Sequence, residues 1–236
     1  MNESTSSVVF LLDCDNTLLD NDRIQADLRD HLAHEFGDAC RDRFFQILED
    51  LRSELGYTDY LGALQRYRSG DEGDTRMLAM SAFLLEYPFA ARLYPLALDV
   101  IRELRTDGLT VMLSDGDVVF QPRKIQRSGL WDAVGGRVLI YIHKETMLHA
   151  VTERYPAGHY VMVDDKVRIL SAMKLQWGDR LTTVFPRQGH YALDAKSVAE
   201  YPPPDVTIER IGDLMGRDLR TLLGARGGAS MGGERK

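Results

Sequence analysis

Cysteine is scarce in this chain, and long apolar runs are missing. The two cysteines, Cys14 and Cys40, are too few for a disulfide framework, which fits a reducing compartment. The apolar run at residues 8–12 is far too short to span a membrane. Residues 1–7 include one acid and no base, unlike a secretory signal. We therefore expect a cytoplasmic protein that has no membrane partner.

Blocks of basic residues are also missing, and the formal net charge is -7 at pH 7. No Lys/Arg cluster is long enough for a nucleic-acid footprint, so we expect no nucleic-acid partner. The 44% hydrophobic and 28% charged residues are ordinary for a globular protein. An acidic protein that handles an anionic substrate must concentrate positive charge locally, through a metal ion or a few cationic side chains.

Short apolar runs alternate with helical patterns along most of the 236 residues. Continuous apolar runs are typical of strands that are covered on both faces, as in a parallel sheet. Strands alternating with helices indicate an α/β fold built from βαβ units. Strands are predicted at residues 8–12, 110–113, 137–142, 160–163, 181–185 and 206–208. Helices are predicted at residues 95–107, with Pro95 in the first turn, and at 118–128, 147–154 and 167–176.

Residues 21–87 interrupt this alternation. Their apolar residues form four successive stripes at helical spacing, and no strand is predicted among them. The first two stripes end at Gly37 and Gly56, and Asp74 is the predicted N-cap of the fourth helix. The segment is too long for a loop. We interpret it as a helical cap inserted after the first strand; the alternative is that these helices simply cover the sheet.

Polar side chains follow four successive predicted strands at their carboxyl ends. Open α/β sheets bind ligands at that edge. Neighbouring carboxylates repel each other, and they are tolerated there if a cation lies between them or one stays protonated. In chain order the groups are the carboxylates of Asp13 and Asp15, the hydroxyl of Ser114, the amine of Lys144 and the carboxylates of Asp164 and Asp165.

Each of these groups has an ordinary structural explanation when it is taken alone. A D-x-D triplet is a common acidic turn, Ser114 fits a turn beside Gly116, and Lys144 fits a solvated surface lysine. One carboxylate of the second pair fits a helix N-cap. A calcium loop of the EF-hand kind is excluded, because its sixth position requires glycine and is Leu18 here.

The joint pattern resembles the four motifs of the haloacid dehalogenase superfamily over almost the whole chain. Residues 11–19 (LLDCDNTLL) look like its first motif, D-x-D-x-T. Ser114 looks like the second motif, Lys144 fits the third, and residues 161–165 (VMVDD) fit the DD form of the fourth. The resemblance implies a Rossmann-like α/β core with strand order 5-4-1-2-3, formed by residues 1–20 and 88–223. Residues 21–87 would be an all-helical C1-type cap, and residues 224–236 are predicted to be a flexible tail.

The resemblance also implies a role for each motif residue. Asp13 would be the nucleophile, Asp15 the acid/base that serves the leaving group and then water, and Lys144 the cation that holds Asp13 and the phosphoryl group. Mg²⁺ would bind Asp13, the Asp15 backbone carbonyl, Asp165 directly, and Asp164 directly or through water. The implied phosphate-binding residues are Thr17, Ser114, Asp115, Gly116 and Lys144.

These roles predict a magnesium-dependent phosphatase that acts on a small phosphorylated metabolite through an aspartyl-phosphate. The family's dehalogenases carry no Asp at the position of Asp15, and Thr17 fits its phosphatases better than its mutases. A phosphomutase or phosphotransferase is the alternative, followed by a non-catalytic domain that binds a phosphorylated ligand. Tyr60 and Tyr67 also fit a buried helical stripe, but the candidate substrate contacts in the cap include both: Tyr57, Tyr60, Arg66, Tyr67 and Arg68.

Overall fold

The computed structural model describes residues 6–69, 73 and 76–217. The described residues form six strands: β1 (Ser6–Leu12), β2 (Leu109–Asp115), β3 (Val138–Tyr141), β4 (Ala157–Val163), β5 (Leu181–Pro186) and β6 (Val206–Ile208). They make one parallel sheet in the order β3-β2-β1-β4-β5-β6. This confirms the predicted order of the first five strands, and β6 extends the sheet beyond β5.

The central strand β1 is apolar on both faces because both faces are covered. Phe10 and Leu12 belong to one hydrophobic cluster, whereas Val9 and Leu11 belong to a second cluster on the opposite face of the sheet. All four side chains are fully buried. The alternation follows from the two-residue period of a strand and explains why an uninterrupted apolar run is needed here.

Four helices follow β1 directly: α1 (Asn21–Phe36), α2 (Asp38–Leu55), α3 (Tyr60–Arg68) and α4 (Arg76–Glu86). No described residue between 21 and 86 belongs to a strand, as predicted. Gly37 follows α1, and Gly56 ends α2 in the left-handed conformation with φ 80°. The predicted cap at Asp74 and the tail 224–236 lie outside the described residues.

Seven helices come from the rest of the described chain: α5 (Ala97–Asp107), α6 (Phe120–Arg127), α7 (Leu130–Ala133), α8 (Leu148–Arg154), α9 (Val167–Trp177), α10 (Gly189–Leu193) and α11 (Ala195–Ala199). Apolar residues of α5, α6 and α7 pack in the cluster that contains Phe10. Those of α8, α9 and α10 pack in the cluster that contains Val9. The sheet is therefore sandwiched between two helical layers.

Two predicted helix starts are wrong by two residues. Helix α5 begins at Ala97 rather than Pro95, because Leu96 adopts a left-handed conformation with φ 67° and interrupts the helix. Helix α6 begins at Phe120 rather than Val118, because the Asp117 carboxylate accepts the N–H groups of Val119, which precedes the helix, and of Phe120, its first residue. Among the described helices, none combines the length and hydropathy that crossing a bilayer requires.

Candidate active site

The parallel sheet brings the predicted polar groups to one edge. Asp13 directly follows β1, and its N–H donates to the Val163 carbonyl at the end of β4 at 3.0 Å. Asp164 directly follows β4 and donates its N–H to Val184 of β5 at 3.1 Å. The backbone ladder thus continues one residue past the strands and fixes where these carboxylates emerge.

The chain turns sharply after Asp13, so Asp13 and Asp15 have different surroundings. Asn16 has a φ of 57°, a left-handed conformation that asparagine tolerates better than most residues. Its side-chain carbonyl accepts the N–H groups of Asn21 and Asp22 at 3.0 and 3.1 Å. These bonds tie the turn to the first residues of α1.

Three carboxylates and one ammonium group form the buried centre of the site. Asp13, Asp164 and Asp165 each place an oxygen so that the three oxygens lie within 4.8 Å of one another. The Lys144 ammonium donates to Asp13 Oδ1, pairs with Asp164 Oδ2 at 2.7 Å and reaches the Leu113 carbonyl at 3.2 Å. Asp13, Lys144, Asp164 and Asp165 are each at most 4% exposed.

Burial and charge change the pKa values of these groups. Burial raises the pKa of Asp13 to about 6, although the Lys144 ammonium acts in the opposite direction. Burial also raises the pKa of Asp165 well above its usual range, and the neighbouring Asp164 carboxylate adds to this. Burial alone would lower the pKa of Lys144, but the carboxylates around it, Asp13 first, raise it above its ordinary value.

The donor set fits a hard divalent cation. Both carboxylate oxygens of Asp165 are buried and accept no hydrogen bond from any described residue. Its backbone N–H donates to Thr17 Oγ1 at 3.1 Å, which fixes the loop next to the turn after β1. Buried oxygens without donors are costly, and Mg²⁺ prefers clustered carboxylate oxygens of this kind.

The Asp15 carboxylate has different partners from the Asp13 carboxylate. The oxygens of Asp15 lie 2.6 and 2.8 Å from the Lys124 ammonium, and Gln121 Nε2 donates to it at 3.2 Å. The Lys124 side chain is only 2% exposed. The sequence analysis did not predict Lys124 as a site residue. The signal it missed is that Gln121 and Lys124, three residues apart, lie on one face of α6.

Ser114 and Asp115 are the last two residues of β2, and Gly116 begins the loop that follows the strand. Ser114 Oγ accepts a hydrogen bond from Gln121 Nε2 at 2.9 Å, and Asp115 Oδ1 accepts the Lys144 N–H at 2.8 Å. Burial raises the pKa of Asp115. Gly116 has a φ of 152°, and an added Cβ would lie 2.8 Å from Gln121 Cβ. The loop therefore requires glycine and holds the Lys144 backbone in place.

The hydroxyl of Thr17 is fully buried between loops. It accepts the Asp165 N–H, and the Thr17 carbonyl accepts a hydrogen bond from Gln188 Nε2 at 3.2 Å. The described contacts therefore give Thr17 a role in joining the loops after β1, β4 and β5. Its predicted contact with phosphate stays a prediction.

A cavity of about 370 Å³ adjoins this centre. Of the five predicted substrate contacts, Tyr57 and Tyr60 line it. Arg66 instead pairs with Glu54 at 2.8 Å, and Tyr67 is buried with its hydroxyl on Cys40 Sγ at 3.3 Å. Arg68 is exposed and does not line this cavity. The buried stripe predicted for Tyr60 and Tyr67 is confirmed, since both are at most 4% exposed.

The wall of this cavity also includes residues that were not predicted as site residues, among them Arg52, Lys124, Lys166 and Tyr191. These four come from α2, from α6, from the loop after β4 and from α10. The predicted residues Asp15, Asp115 and Gly116 also line the cavity. Asp13 and Lys144 are buried and do not line the cavity. Asp13 lies two residues before Asp15 in the chain, and the Lys144 N–H donates to Asp115.

The parallel sheet holds a buried Asp–Lys–Asp centre at its carboxyl edge, and comparison with known families gives the class of protein. The family model of haloacid dehalogenase-like hydrolases matches residues 8–175. The chain belongs to the family of haloacid dehalogenase-like hydrolases.

Solved structures agree with this assignment. A protein of Burkholderia xenovorans LB400 described as a haloacid dehalogenase-like hydrolase is 67% identical, with a TM-score of 0.85; the match covers 90% of this chain and 99% of that one. Magnesium-bound YfnB of Bacillus subtilis is 18% identical, with a TM-score of 0.60 and coverages of 92% and 98%.

The L-2-haloacid dehalogenase of Xanthobacter autotrophicus, with chloropropionic acid covalently bound, is 17% identical, with a TM-score of 0.58 and coverages of 87% and 96%. At such low identity, the likeness to this structure and to YfnB is evidence for the fold alone. A search among curated proteins found no significant match.

Proposed function

We propose that this chain is a magnesium-dependent phosphatase that hydrolyses a small phosphate monoester through an aspartyl-phosphate on Asp13. The observation that carries the proposal is the second carboxylate, Asp15, which lines the cavity two residues after Asp13. A leaving alkoxide needs a proton, and a positioned carboxylic acid supplies it. Displacement of a halide needs no such proton, which is why Asp15 favours phosphate esters over haloacids.

Two displacement steps describe the reaction. In the first step an Asp13 oxygen bonds to phosphorus, the bond from phosphorus to the ester oxygen breaks, and Asp15 donates its proton to that oxygen. In the second step Asp15 takes a proton from water, whose oxygen bonds to phosphorus while the bond from phosphorus to Asp13 breaks. The products are the alcohol and inorganic phosphate, and both carboxyl groups return to their starting states.

Lys144 would hold Asp13 in place and balance the negative charge of the phosphoryl group. Mg²⁺ would be held by Asp13, by the Asp15 carbonyl and by Asp165, and would supply further charge neutralisation. Asp165 is favoured over Asp164 as the direct ligand, because both Asp164 oxygens already have partners. Asp164 Oδ1 accepts the Lys166 N–H at 2.8 Å, and Oδ2 pairs with Lys144.

We further propose that residues 21–87 form a cap over a core of residues 1–20 and 88–223. The wall of the cavity supports this division, because it combines Arg52, Tyr57 and Tyr60 from the inserted helical segment with Asp15 and Lys124 from the α/β part. A cap that closes over the site would exclude bulk water from the reacting groups. The structure of YfnB is described as revealing interdomain movement, which supports a mobile cap here.

The proposed function predicts that the purified protein hydrolyses phosphate esters but not haloacids. We expect release of inorganic phosphate from at least one ester in a panel of phosphorylated metabolites, and loss of this activity when a chelator removes divalent cations. We expect no halide release from L-2-chloropropionate. Halide release without phosphate release would contradict the proposal. Transfer of phosphate to an organic acceptor, with no free phosphate, would favour the phosphotransferase alternative.

Replacing Lys124 with methionine tests the role of Asp15. We expect K124M to lower kcat for alkyl phosphates about 10- to 100-fold, because Asp15 loses the cation that orients it. The loss should be smaller for p-nitrophenyl phosphate, whose leaving group needs little protonation, and Lys124→Arg should restore part of it. Equal losses for both esters would show that Lys124 has only a structural role. Lys196→Met, on the exposed helix α11, is the matched control.

A further inference from the structure

The cavity beside Asp15 has more positive charge than its own carboxylates balance. Two of its cations are paired: Lys124 contacts Asp15, and Arg168 lies 2.6 Å from Glu145. Two others, Arg52 and Lys166, have no carboxylate partner among the described wall residues. In a chain with a net charge of -7, this local excess favours an anionic ligand.

Lys166 lies beside the buried carboxylates: burial alone would lower its pKa, but Asp165 first, then Asp13 and Asp164, raise that pKa above its ordinary value. It directly follows Asp165, and it forms no ion pair with any described carboxylate. Its ammonium lies 5.0 Å from the centre of the Tyr191 ring. The phosphoryl group of a substrate bound at Asp13 would be an anionic partner for the Lys166 ammonium. It would leave the Arg52 guanidinium, which comes from α2, without an anionic group of the ligand.

Arg52 is positioned at the end of α2. Its guanidinium donates to the Tyr191 hydroxyl, and its nearest carboxylate is Glu49, one turn earlier on the same helix, at 3.6 Å. Its side chain is 43% exposed. A guanidinium that lines a cavity and has only a loose ion pair can bind a ligand carboxylate or phosphate through two parallel hydrogen bonds.

Tyr60 provides an independent observation that points to a ligand. The residue is 4% exposed and lines the same cavity, yet its hydroxyl is buried without a hydrogen-bond partner among the described residues. Buried tyrosine hydroxyls usually have a hydrogen-bond partner, because a buried hydroxyl without a hydrogen bond costs free energy. The Tyr60 ring is fixed against Phe120 at 5.1 Å, so the hydroxyl is held in place for a partner that the protein does not supply.

We propose that the substrate carries a second anionic group, a carboxylate or a second phosphate, which binds to the Arg52 guanidinium and the Tyr60 hydroxyl. The inference rests on the proposed phosphatase function and narrows its substrate class. The phosphoryl group would lie near Asp13 and Lys166, and the second anion would lie between Arg52 and Tyr60. Arg52 and Tyr60 then select the substrate, whereas Asp13 and Asp15 carry out the reaction.

Matched pairs of esters test the proposal. 3-Phosphoglycerate is compared with glycerol 3-phosphate, and 6-phosphogluconate with sorbitol 6-phosphate, because each pair differs only in a carboxylate at the end remote from the phosphate. We expect kcat/KM to favour the carboxylate in at least one pair by about 10- to 100-fold, as for a hydrogen bond to a charged group. Fructose 1,6-bisphosphate against fructose 6-phosphate distinguishes a second phosphate from a carboxylate.

Two variants connect this preference to the named residues. Arg52→Gln should reduce the ratio of kcat/KM between the favoured ester and its partner by about 10-fold or more. Tyr60→Phe should also reduce the ratio, and it should leave the urea midpoint of unfolding equal or higher, because it removes a hydroxyl that has no partner in the protein. A merely structural role for that hydroxyl predicts a lower midpoint. Arg102→Gln on α5 and Tyr67→Phe are the matched controls.

The outcomes separate this inference from the proposed function. Ratios near one in all pairs, with phosphate released from each ester, would overturn the second anionic group and leave the phosphatase proposal standing. A preference that persists unchanged in both Arg52→Gln and Tyr60→Phe would overturn the assignment to these residues. The absence of phosphate release from every ester would overturn both proposals. Calorimetric binding of the same pairs to Asp13→Asn with Mg²⁺ should show the same preference without turnover.

Discussion

Asp13→Asn is expected to abolish phosphate release while the protein stays folded. An amide cannot form the bond to phosphorus, so we expect kcat to fall by roughly 10⁴-fold or more. The free energy of unfolding should be unchanged or higher at neutral pH. The reason is that burial raises the pKa of Asp13 to about 6, which means that the ionised carboxylate destabilises the fold above that pH. Activity assays and urea unfolding of the same preparation measure both effects.

The control for this variant is Asp107→Asn, because Asp107 is exposed at the end of α5. We expect it to have the activity and stability of the unmodified protein. Turnover by a folded Asp13→Asn protein, at a rate near that of the control, would remove Asp13 from the mechanism. Loss of the fold in Asp13→Asn would show that its pairing with Lys144 outweighs the cost of its burial.

Lys144→Met is expected to cost both stability and activity. The variant would leave Asp13 and Asp164 buried without their common cation. Removing one partner of a buried ion pair typically costs about 3–5 kcal/mol of the free energy of unfolding. We expect a loss of this size at neutral pH and no measurable turnover. Mg²⁺ should restore part of the stability, because it would bind the same carboxylates.

The stability loss in Lys144→Met should depend on pH. Without the ammonium, the pKa of Asp13 rises above its present value of about 6, so the carboxyl group becomes neutral on mild acidification. The difference in unfolding free energy between the variant and the unmodified protein should therefore shrink as the pH falls towards about 6, because Asp13 is protonated at a higher pH in the variant than in the unmodified protein. A difference that does not change with pH would contradict the electrostatic explanation. Lys196→Met again serves as the exposed lysine control.

The sequence could predict which edge of the sheet carries the site. Asp13, Ser114, Lys144 and the pair Asp164 and Asp165 each follow an apolar run, and parallel strands bring their carboxyl ends together. The apolar runs themselves are recognisable because both faces of the sheet are buried. The first residue of a helix is harder to predict from sequence, since a single side chain such as the Asp117 carboxylate is enough to delay α6 by two residues.

The partners of Asp15 and the substrate side of the cavity could not be predicted from the sequence. Lys124 is 109 residues from Asp15, and its helical position shows only that it follows Gln121 on one face. Arg52 and Tyr191 are 139 residues apart, and nothing in their sequence surroundings indicates that they meet. Such contacts depend on how separate elements pack, and residue periodicity describes only one element at a time.

Mass spectrometry of the acid-quenched reaction tests the central claim most directly. The protein is mixed with Mg²⁺ and the best phosphate ester found in the panel, quenched in acid during the first turnover, digested and analysed for a phosphoryl group. The account predicts a transient phosphoryl group on Asp13, in the peptide that also contains Asp15, and none in Asp13→Asn. A phosphoryl group on another residue, or phosphate release with Asp13 unmodified throughout the first turnover, would contradict the account.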